Sequence, residues 1–383
     1  MKILSILIFF TLVNYLKAEC SDLDSTECVQ WSQYCEWDEE SGECIEIGGG
    51  DGDINYGPYQ FSYLTEADGI RNGPDYMDGL LYYPIDANVP LKSIVLTPGW
   101  GGGSSSMTSW AEFFASHGFI AMAIGPNDEI NDSHQQRAEG LLDAIETIKE
   151  EEFRTDSPLF GVVDVNRFIV SGYSMGGGAS QVTLMLDDPN VEESIVGAIA
   201  LNPTIIFEDC DICADYTYCI CLVPEFLDHN TPTLVIAGQN EIDELPSYDG
   251  LLGQDIYENT PESTVKILYE IENGGHGSAE LSVNEVQEKV LNWVNYLLLE
   301  ELSYCDSLLI EPSNASQFLT TLECGMSISY DLNNDGEINN SDLTSLVIFI
   351  MYENESLIPL DINYDLDVDV FDILIFSDYL QGI

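Results

Sequence analysis

The sequence contains few positively charged residues. Only 10 of its 383 residues are lysine or arginine, against 68 aspartates and glutamates, and the formal net charge at pH 7 is −58. Binding to phosphate backbones and to anionic lipid headgroups depends on positive charge, which this chain has little of. We therefore expect neither nucleic acid nor a membrane among its partners.

Long hydrophobic runs are also scarce. No stretch beyond the N-terminus is long and apolar enough to span a bilayer, and the N-terminal run itself is too short. That run follows Lys2 and ends near Ala18, so residues 1–18 have the charged, apolar and small-residue parts of a secretory signal peptide. Cleavage after Ala18 would give a secreted protein.

Histidine is rare as well, with four residues, and this bears on whether the cysteines form disulfides or bind a metal. The ten cysteines fall into three groups with even numbers of members: Cys20, Cys28, Cys35 and Cys44; Cys210, Cys213, Cys219 and Cys221; Cys305 and Cys324. Even numbers in a secreted chain favour disulfides. A zinc site is the alternative for residues 210–221, but no histidine lies inside that group.

Residues 19–47 form a separate unit by composition. Four cysteines in so short a segment predict a small module held together by disulfides rather than by a core. A flexible linker rich in glycine and aspartate follows at residues 48–55. The module could be a simple N-terminal staple, or its Trp31, Tyr34 and Trp37 could bind carbohydrate or protein.

From residue 56 to residue 301, strand-like runs alternate with helical ones. Strands are predicted at residues 80–83, 93–96, 120–124, 168–170, 198–201, 234–237 and 266–269, and helices at residues 106–117, 133–150, 176–186 and 283–302. This alternation predicts an α/β fold with a mostly parallel sheet covered by helices on both faces. The apolar stripe of the last helix, which includes Val286, Val290 and Trp293, is expected to pack in the core.

One turn in this region has the residues of a nucleophile elbow. The β-branched run at residues 168–171 leads into Gly172-Tyr173-Ser174-Met175-Gly176, and small residues then continue in a helical pattern. A strand, a sharp turn and a helix force the central serine into a strained backbone conformation, which only small flanking residues permit. Ser174 is therefore the predicted nucleophile.

A glycine-rich loop at residues 97–106 follows the second predicted strand. In an acyl-transfer enzyme such a loop supplies one backbone amide of the oxyanion hole, and the residue after the nucleophile supplies the other. Here those residues are Trp100 and Met175. The alternative is a glycine-rich connection with no catalytic role.

A nucleophilic serine needs a general base and an acid that orients it. Among the four histidines, only His276 follows the serine with room for an intervening acid, and it lies in a flexible loop after the last predicted strand. The acid should follow the strand at residues 234–237. Glu241 and Asp243 are both candidates, since either carboxylate can hold the imidazole tautomer.

These motifs together resemble the α/β-hydrolases of the bacterial cutinase and poly(ethylene terephthalate) hydrolase group, which is close to the dienelactone hydrolases. The resemblance covers roughly residues 56–324 and rests on Pro98-Gly99-Trp100, Ala115-Ser116-His117-Gly118-Phe119, Gly172-Tyr173-Ser174-Met175-Gly176-Gly177-Gly178, Thr233-Leu234-Val235-Ile236-Ala237-Gly238 and Asn273-Gly274-Gly275-His276. It implies an ester hydrolase with Ser174 as nucleophile, His276 as base, and the amides of Trp100 and Met175 in the oxyanion hole. The Trp100 ring would also flank the substrate.

The family pattern assigns the acid by position. Counted from Thr233, the aspartate position of the family is held by Glu241, whereas counting back from Pro246 makes Asp243 the alternative. The resemblance also implies a disulfide between Cys305 and Cys324 that fixes the end of the domain.

Two departures from the family pattern concern the substrate. The second aromatic residue that flanks the substrate in the family is replaced here by Thr204 or Ile205. The insertion at residues 210–221 is expected to lie as a cap over the cleft. Ester hydrolysis is therefore a firmer expectation than a polyester or waxy substrate.

Beyond Gly325 the sequence contains a repeat. Oxygen-bearing residues occupy positions 1, 3, 5, 7, 9 and 12 of two twelve-residue loops, which is the pattern of a calcium-binding loop. The predicted ligands are Asp331, Asn333, Asp335, Glu337, Asn339 and Asp342 in the first loop, and Asp361, Asn363, Asp365, Asp367, Asp369 and Asp372 in the second. The first loop has Gly336 at the sharp turn. The second loop has Leu366 there and so departs from the pattern for calcium binding.

Each loop precedes an apolar helix, and neither has room for a helix before it. Two loop–helix units with aspartate at position 12 resemble a type I dockerin, so residues 325–383 are expected to form a dockerin-like domain that binds structural calcium. The resemblance implies docking onto a cohesin-like protein or folding back within the same chain. Positions 10 and 11 are held by Asn340, Ser341, Val370 and Phe371, unlike the usual Ser/Thr pair, which leaves the partner open.

The sequence as a whole predicts a secreted serine ester hydrolase that needs no cofactor for catalysis. Its substrate would be an ester, including polymeric esters such as cutin, polyester or plant-wall material. The alternative is a hydrolase fold without activity that serves as a binding or scaffold protein through its C-terminal domain.

Overall fold

The computed structural model describes residues 35–38, 43–46, 54–186, 188–206, 227–246, 248, 250–324, 338–352 and 370–381. Its strands are β1 (Cys35–Asp38), β2 (Glu43–Glu46), β3 (Phe61–Leu64), β4 (Asp78–Pro84), β5 (Leu91–Thr97), β6 (Ile120–Gly125), β7 (Val163–Tyr173), β8 (Ile195–Leu201), β9 (Ile205–Ile206), β10 (Thr233–Gly238), β11 (Gly250–Leu251), β12 (Lys266–Ile271) and β13 (Ala315–Thr320). Its helices are α1 (Thr108–Ser116), α2 (His134–Glu151), α3 (Met175–Thr183), α4 (Pro189–Glu193), α5 (Glu241–Glu244), α6 (Gly253–Asn259), α7 (Asn284–Leu298), α8 (Ser303–Leu308), α9 (Asn340–Tyr352) and α10 (Val370–Gln381).

Nine of the described strands form one sheet, in the order β13-β12-β10-β8-β7-β5-β6-β4-β3. The six strands from β12 to β6 pair in parallel. At one edge β13 runs antiparallel to β12, and at the other β4 and β3 are antiparallel. The parallel centre brings the carboxyl ends of β5, β7, β10 and β12 to the same edge of the sheet, where the predicted site residues follow them.

Helices cover both faces of this sheet. On one face Trp110 and Phe114 of α1 and Trp293 of α7 belong to a single buried cluster. On the other face Leu141 and Ile145 of α2 pack against β5, β6 and β7 in a second cluster. The prediction of a mostly parallel sheet covered on both faces is therefore confirmed, and so is the burial of the α7 apolar stripe.

The predicted elements differ from the observed ones mainly at their ends. The helix predicted at residues 283–302 ends at Leu298, because Glu300 has a φ of 56° that interrupts the helix before α8 begins. The edge strands β3 and β13 were not predicted, because their side chains are mostly half-buried and show no clear alternation.

A disulfide fixes the C-terminal end of this sheet domain. Cys305 in α8 is bonded to Cys324, which follows the edge strand β13, with a Cα–Cα distance of 5.5 Å. The bond is the one implied by the family resemblance. It joins the segment after α7 to the segment after the last strand.

Several predictions fall on residues outside the described part of the chain. These are the signal peptide, most of the linker, the cysteines of residues 210–221 with their cap, and most of both calcium loops. Of the cystine-rich module, the described residues form an antiparallel pair, β1 with β2, whose backbone register pairs Trp37 with Cys44. No helix among the described residues has the length and hydropathy needed to cross a bilayer.

Candidate active site

Ser174 lies on the turn between β7 and α3. Its φ of 53° and ψ of −119° are strained for a residue with a side chain. A β-carbon added at Gly172 would collide with the backbone of Gly176, and one added at Gly176 would collide with the carbonyl of Thr97. Glycine at both positions therefore lets the turn close against the end of β5, as the elbow motif requires.

His276 lies beside this serine. Its Nε2 is 2.7 Å from Ser174 Oγ, which is hydrogen-bonding distance. The backbone of His276 is held on both sides, since the Tyr173 hydroxyl donates to its carbonyl at 2.8 Å and its amide donates to Glu244 Oε2 at 2.6 Å. A β-carbon at Gly275 would collide with the Glu244 carboxylate, so this carboxylate packs directly against the histidine loop.

Glu241 is the carboxylate that the structure places beside the imidazole. Its Oε2 is 4.0 Å from His276 Nδ1, and only 2% of the residue is exposed. Its other oxygen, Oε1, accepts from the Gly238 amide at 3.0 Å and from the Asn202 side chain. Asp243 lies exposed on the same short helix, α5. The geometry thus favours Glu241 over Asp243 as the orienting acid.

The Glu241–His276 contact is longer than a hydrogen bond. Both Glu241 Oε2 and His276 Nδ1 are buried, and neither has a hydrogen-bond partner among the described residues. Catalytic hydrogen bonds are often long in free enzymes and shorten when substrate binds. This pair is positioned for such a bond, since the two atoms lie 4.0 Å apart and neither is bound to another described residue.

The other three histidines occupy structural positions. His117 Nδ1 contacts the Phe113 carbonyl at 2.8 Å, one helical turn away. His134 is buried with Nε2 at 2.8 Å from the Thr204 carbonyl, and burial lowers its pKa to about 4. Burial also lowers the pKa of His229 to about 4. Of the four, only His276 contacts Ser174.

The loop after β5 runs past the serine. A β-carbon at Gly99 would lie 3.0 Å from Ser174 Cβ, so the backbone beside Trp100 is in close contact with the nucleophile. The Trp100 ring is 61% exposed, and its Nε1 donates to the Ile130 carbonyl at 3.0 Å. Met175 is the first residue of α3, which places its amide at a helix N-terminus directly after Ser174.

Arg137, from α2, binds the backbone of this loop. It is 1% exposed and donates from Nη1 to the carbonyls of Pro98 and Gly99, at 3.1 and 3.3 Å, and from Nη2 to the Glu129 carbonyl at 2.9 Å. Burial lowers its pKa, and the nearby carboxylates act in the opposite direction. Its guanidinium forms no ion pair within the described part of the chain.

Sequence reasoning missed four residues of this site, which are Arg137, Tyr173, Asn202 and Glu244. Asn202 has a φ of 42° and is buried, and its Oδ1 accepts from the Ala279 amide at 2.7 Å while its amide group holds Glu241. The signal available for Asn202 was its place after β8, at the same sheet edge as the serine. Nothing in the sequence distinguished Arg137 from other charged residues, whereas Glu244 was expected only to form an acidic patch with Asp243 beside the cleft.

The positions that depart from the family pattern lie next to the serine. Thr204 is buried, and its amide donates to the Ser174 carbonyl at 3.0 Å. Ile205 is buried in β9, which pairs with β11. Neither residue supplies an exposed aromatic ring, in agreement with the sequence.

A serine on a strained strand–helix turn, a histidine within hydrogen-bonding distance and a buried carboxylate behind it lie at the carboxyl edge of a mostly parallel sheet. This architecture is that of an α/β-hydrolase. Residues 56–208 match the family model described as PETase, PET hydrolase-like.

Relatives over a larger part of the chain agree with that match. Cutinase est1 of Thermobifida alba is 26% identical over 252 residues, which is 65% of this chain and 73% of that protein. The bis(hydroxyethyl) terephthalate hydrolase of Streptomyces coelicolor is 25% identical over 250 residues, 65% of this chain and 70% of that protein. Lipase 1 of a Moraxella species is 27% identical over 229 residues, 59% of this chain and 61% of that protein.

Three of the twelve predicted calcium ligands lie in the described residues. Asp342 and Asp372 are fully buried near the starts of α9 and α10, and the amide of Asn339 donates to Asp342 Oδ2 at 2.9 Å. The remaining nine lie outside the described residues. Leu346 of α9 and Phe376 of α10 form a small core of their own.

Proposed function

We propose that the chain is a serine hydrolase of carboxylic esters. The observation that carries the proposal is the 2.7 Å contact between Ser174 Oγ and His276 Nε2 on a strained elbow. The similarity to cutinases and to a bis(hydroxyethyl) terephthalate hydrolase supports ester hydrolysis as the reaction.

The proposed mechanism proceeds through an acyl-enzyme. His276 Nε2 takes the proton of Ser174 Oγ while that oxygen attacks the ester carbonyl. The resulting oxyanion would be stabilised by the amides of Trp100 and Met175, of which the second lies at the N-terminus of α3. His276 then gives its proton to the departing alcohol, and water repeats the sequence on the acyl-enzyme.

Glu241 would stabilise the imidazolium formed in each half-reaction. Its Oε1 is tied to Asn202 and the Gly238 amide, which leaves Oε2 directed at His276 Nδ1. Such a carboxylate fixes the imidazole tautomer with Nδ1 protonated, so that Nε2 is free to accept the serine proton.

For the substrate we propose an uncharged ester with an extended chain, such as a polyester or cutin. The exposed ring of Trp100 beside the serine offers a flat apolar surface against which an acyl chain or aromatic ring could stack. The names of the relatives favour the same class. The chain would act outside the cell, as its N-terminal segment and cysteines predict.

Covalent labelling by a fluorophosphonate tests the enzyme against its alternative. An active serine hydrolase is labelled stoichiometrically, and Ser174→Ala abolishes the labelling together with hydrolysis of p-nitrophenyl esters. Ser171→Ala is the matched control, because it removes a buried hydroxyl from the same strand, three residues earlier. An unlabelled wild-type protein would instead favour the inactive binding or scaffold protein.

For residues 325–383 we propose a dockerin-like domain that binds structural calcium and a cohesin-like partner. The support is the loop pattern, in which Asp342 and Asp372 hold position 12 of the two loops and are fully buried. Val370 and Phe371, at the recognition positions of the second loop, are exposed.

Calcium binding can be measured on the full chain by calorimetry and by thermal unfolding. Calcium should raise the unfolding temperature of the C-terminal transition, because a ligand that binds only the folded state stabilises it. Asp331→Ala should weaken binding, while Asn340→Ala, at a position that does not supply a ligand, should not. Identical melting curves with calcium and with chelator would rule the site out.

A further inference from the structure

Arg137 is buried and forms no ion pair with any described residue, although the carboxylates of Asp132, Glu129 and Asp128 lie near enough to act on its charge. Moving a guanidinium out of water is unfavourable unless its donors are satisfied and its charge is balanced. Its Nη1 and Nη2 donate to the backbone carbonyls of Pro98, Gly99 and Glu129, and its Nε has no hydrogen-bond partner among the described residues. Two of the three carbonyls, those of Pro98 and Gly99, belong to the loop after β5 that borders Ser174.

The carbonyl of Gly99 and the amide of Trp100 belong to the same peptide group. In a trans peptide the C=O and the N–H are coplanar and point in opposite directions. Arg137 binds the Gly99 oxygen together with the Gly102 amide, which donates to it at 3.2 Å, and the two donors therefore fix the direction of the Trp100 N–H and turn it away from α2. Gly99 itself lies against Ser174, so the fixed amide belongs to the backbone that borders the nucleophile.

A cation on the carbonyl also changes the charge of that amide. Hydrogen bonds in series polarise one another, and a charged donor on the oxygen increases the partial positive charge of the N–H at the other end of the peptide. The positive charge of Arg137 thus acts on the oxyanion through a peptide group, without a contact between the guanidinium and the substrate.

Arg137 also links the loop after β5 to the segment after β6, which contains Glu129. The Glu129 carbonyl that accepts from Arg137 Nη2 also accepts from the Gly101 amide at 2.8 Å, and Gly101 has a φ of 76°. The residues on both sides of Trp100 are therefore anchored to Arg137, directly through Gly99 and indirectly through Glu129. A loop held at two points cannot rotate the peptide between them.

We propose that Arg137 is a positioning residue that aims and polarises the Trp100 amide of the oxyanion hole. The proposal rests on the proposed serine esterase function. It predicts that the effect of losing Arg137 is confined to the transition state, because the neutral ester carbonyl gains little from a stronger donor and the oxyanion gains much.

The test compares Arg137→Met, Arg137→Gln and Arg137→Lys with the wild type, with rates expressed per active site titrated by fluorophosphonate. Arg137→Met should lower kcat by about 10- to 100-fold with KM nearly unchanged, somewhat less than the loss of an entire oxyanion donor. Arg137→Lys should recover part of the loss because it retains the charge. Arg137→Gln should recover less.

A second readout separates positioning from simple stability. A trifluoromethyl ketone forms a tetrahedral oxyanion on the serine, and its inhibition constant should rise in Arg137→Met by the same factor by which kcat/KM falls. Arg167→Met is the matched control, since Arg167 also donates to a backbone carbonyl, that of Leu297 at 2.8 Å, and pairs with Glu300, away from the loop. That variant should lower the unfolding temperature only.

The outcomes distinguish this inference from the proposed function. A wild-type protein that is not labelled by fluorophosphonate refutes the function and the inference together. A labelled wild type with an unchanged kcat per site in Arg137→Met refutes the inference alone. If Arg137→Met does not fold, Arg137→Lys decides, because a lysine cannot reproduce the forked contact, and an unchanged kcat and inhibition constant there would overturn the proposal.

Discussion

Replacing Glu241 by glutamine tests the least expected member of the site, a glutamate where the resembled family has aspartate. Glutamine keeps the size of the side chain and can still accept from Asn202 and the Gly238 amide, but it removes the charge that faces His276. The perturbation therefore isolates the electrostatic contribution of the acid.

The expected magnitude follows from the distance. An imidazolium at 4.0 Å from a carboxylate gains about 4 kcal/mol at an effective dielectric constant of about 20, which is the appropriate value even for buried pairs. Since about 1.4 kcal/mol corresponds to a factor of ten, kcat should fall by about 10³-fold. Asp243→Asn removes a charge from the same helix without a contact to the imidazole and should change kcat less than twofold.

Hydrolysis of p-nitrophenyl butyrate between pH 5 and 9 measures both effects. A kcat within tenfold of the wild type would refute the assignment of Glu241, and a large loss in Asp243→Asn would transfer the role to Asp243.

Three further predictions concern the support of this site and the stability of the fold. Asn202→Leu leaves the buried Ala279 amide without an acceptor and should cost about 1 to 3 kcal/mol in urea unfolding while lowering kcat, whereas a purely structural role would leave kcat unchanged. Replacing Cys305 and Cys324 by serine opens a loop of 19 residues and should cost about 3 kcal/mol, and an unchanged urea midpoint would contradict this. His134 and His229 have folded pKa values of about 4, below their ordinary 6.5, so the stability they contribute is present above pH 6.5 and is lost as the pH falls towards 4. As the pH falls through that window, each histidine should lower the free energy of unfolding by about 1.4 kcal/mol per pH unit. His134→Gln should remove the part of this pH dependence that comes from His134, which urea unfolding at several pH values measures.

Much of the fold was predictable because local sequence controls local structure. The six strands of the parallel centre are short apolar runs, and all six, together with the antiparallel β4, were placed within the observed strands. The edge strands and the end of α7 were missed or misplaced, since their limits depend on half-buried contacts and on the backbone of Glu300 rather than on periodicity. The boundaries of the domains, the signal peptide and the calcium loops stay predictions.

The sequence by itself singled out Ser174 and His276, the pair that the structure brings within hydrogen-bonding distance. Ser174 needed only its flanking glycines, because the elbow is a local backbone conformation, and His276 needed only the order of the chain. The acid was left open between Glu241 and Asp243, since both follow β10 within five residues and either could in principle reach an imidazole.

Only the tertiary structure decided which carboxylate faces the histidine and which other residues support the pair. Glu241 turns inwards because Asn202, from the end of β8, and the Gly238 amide bind its other oxygen. Arg137 reaches the loop after β5 because α2 packs against β5, a contact between segments about 40 residues apart. Such contacts depend on how the strands are ordered in the sheet, and a linear pattern of residues does not contain that information.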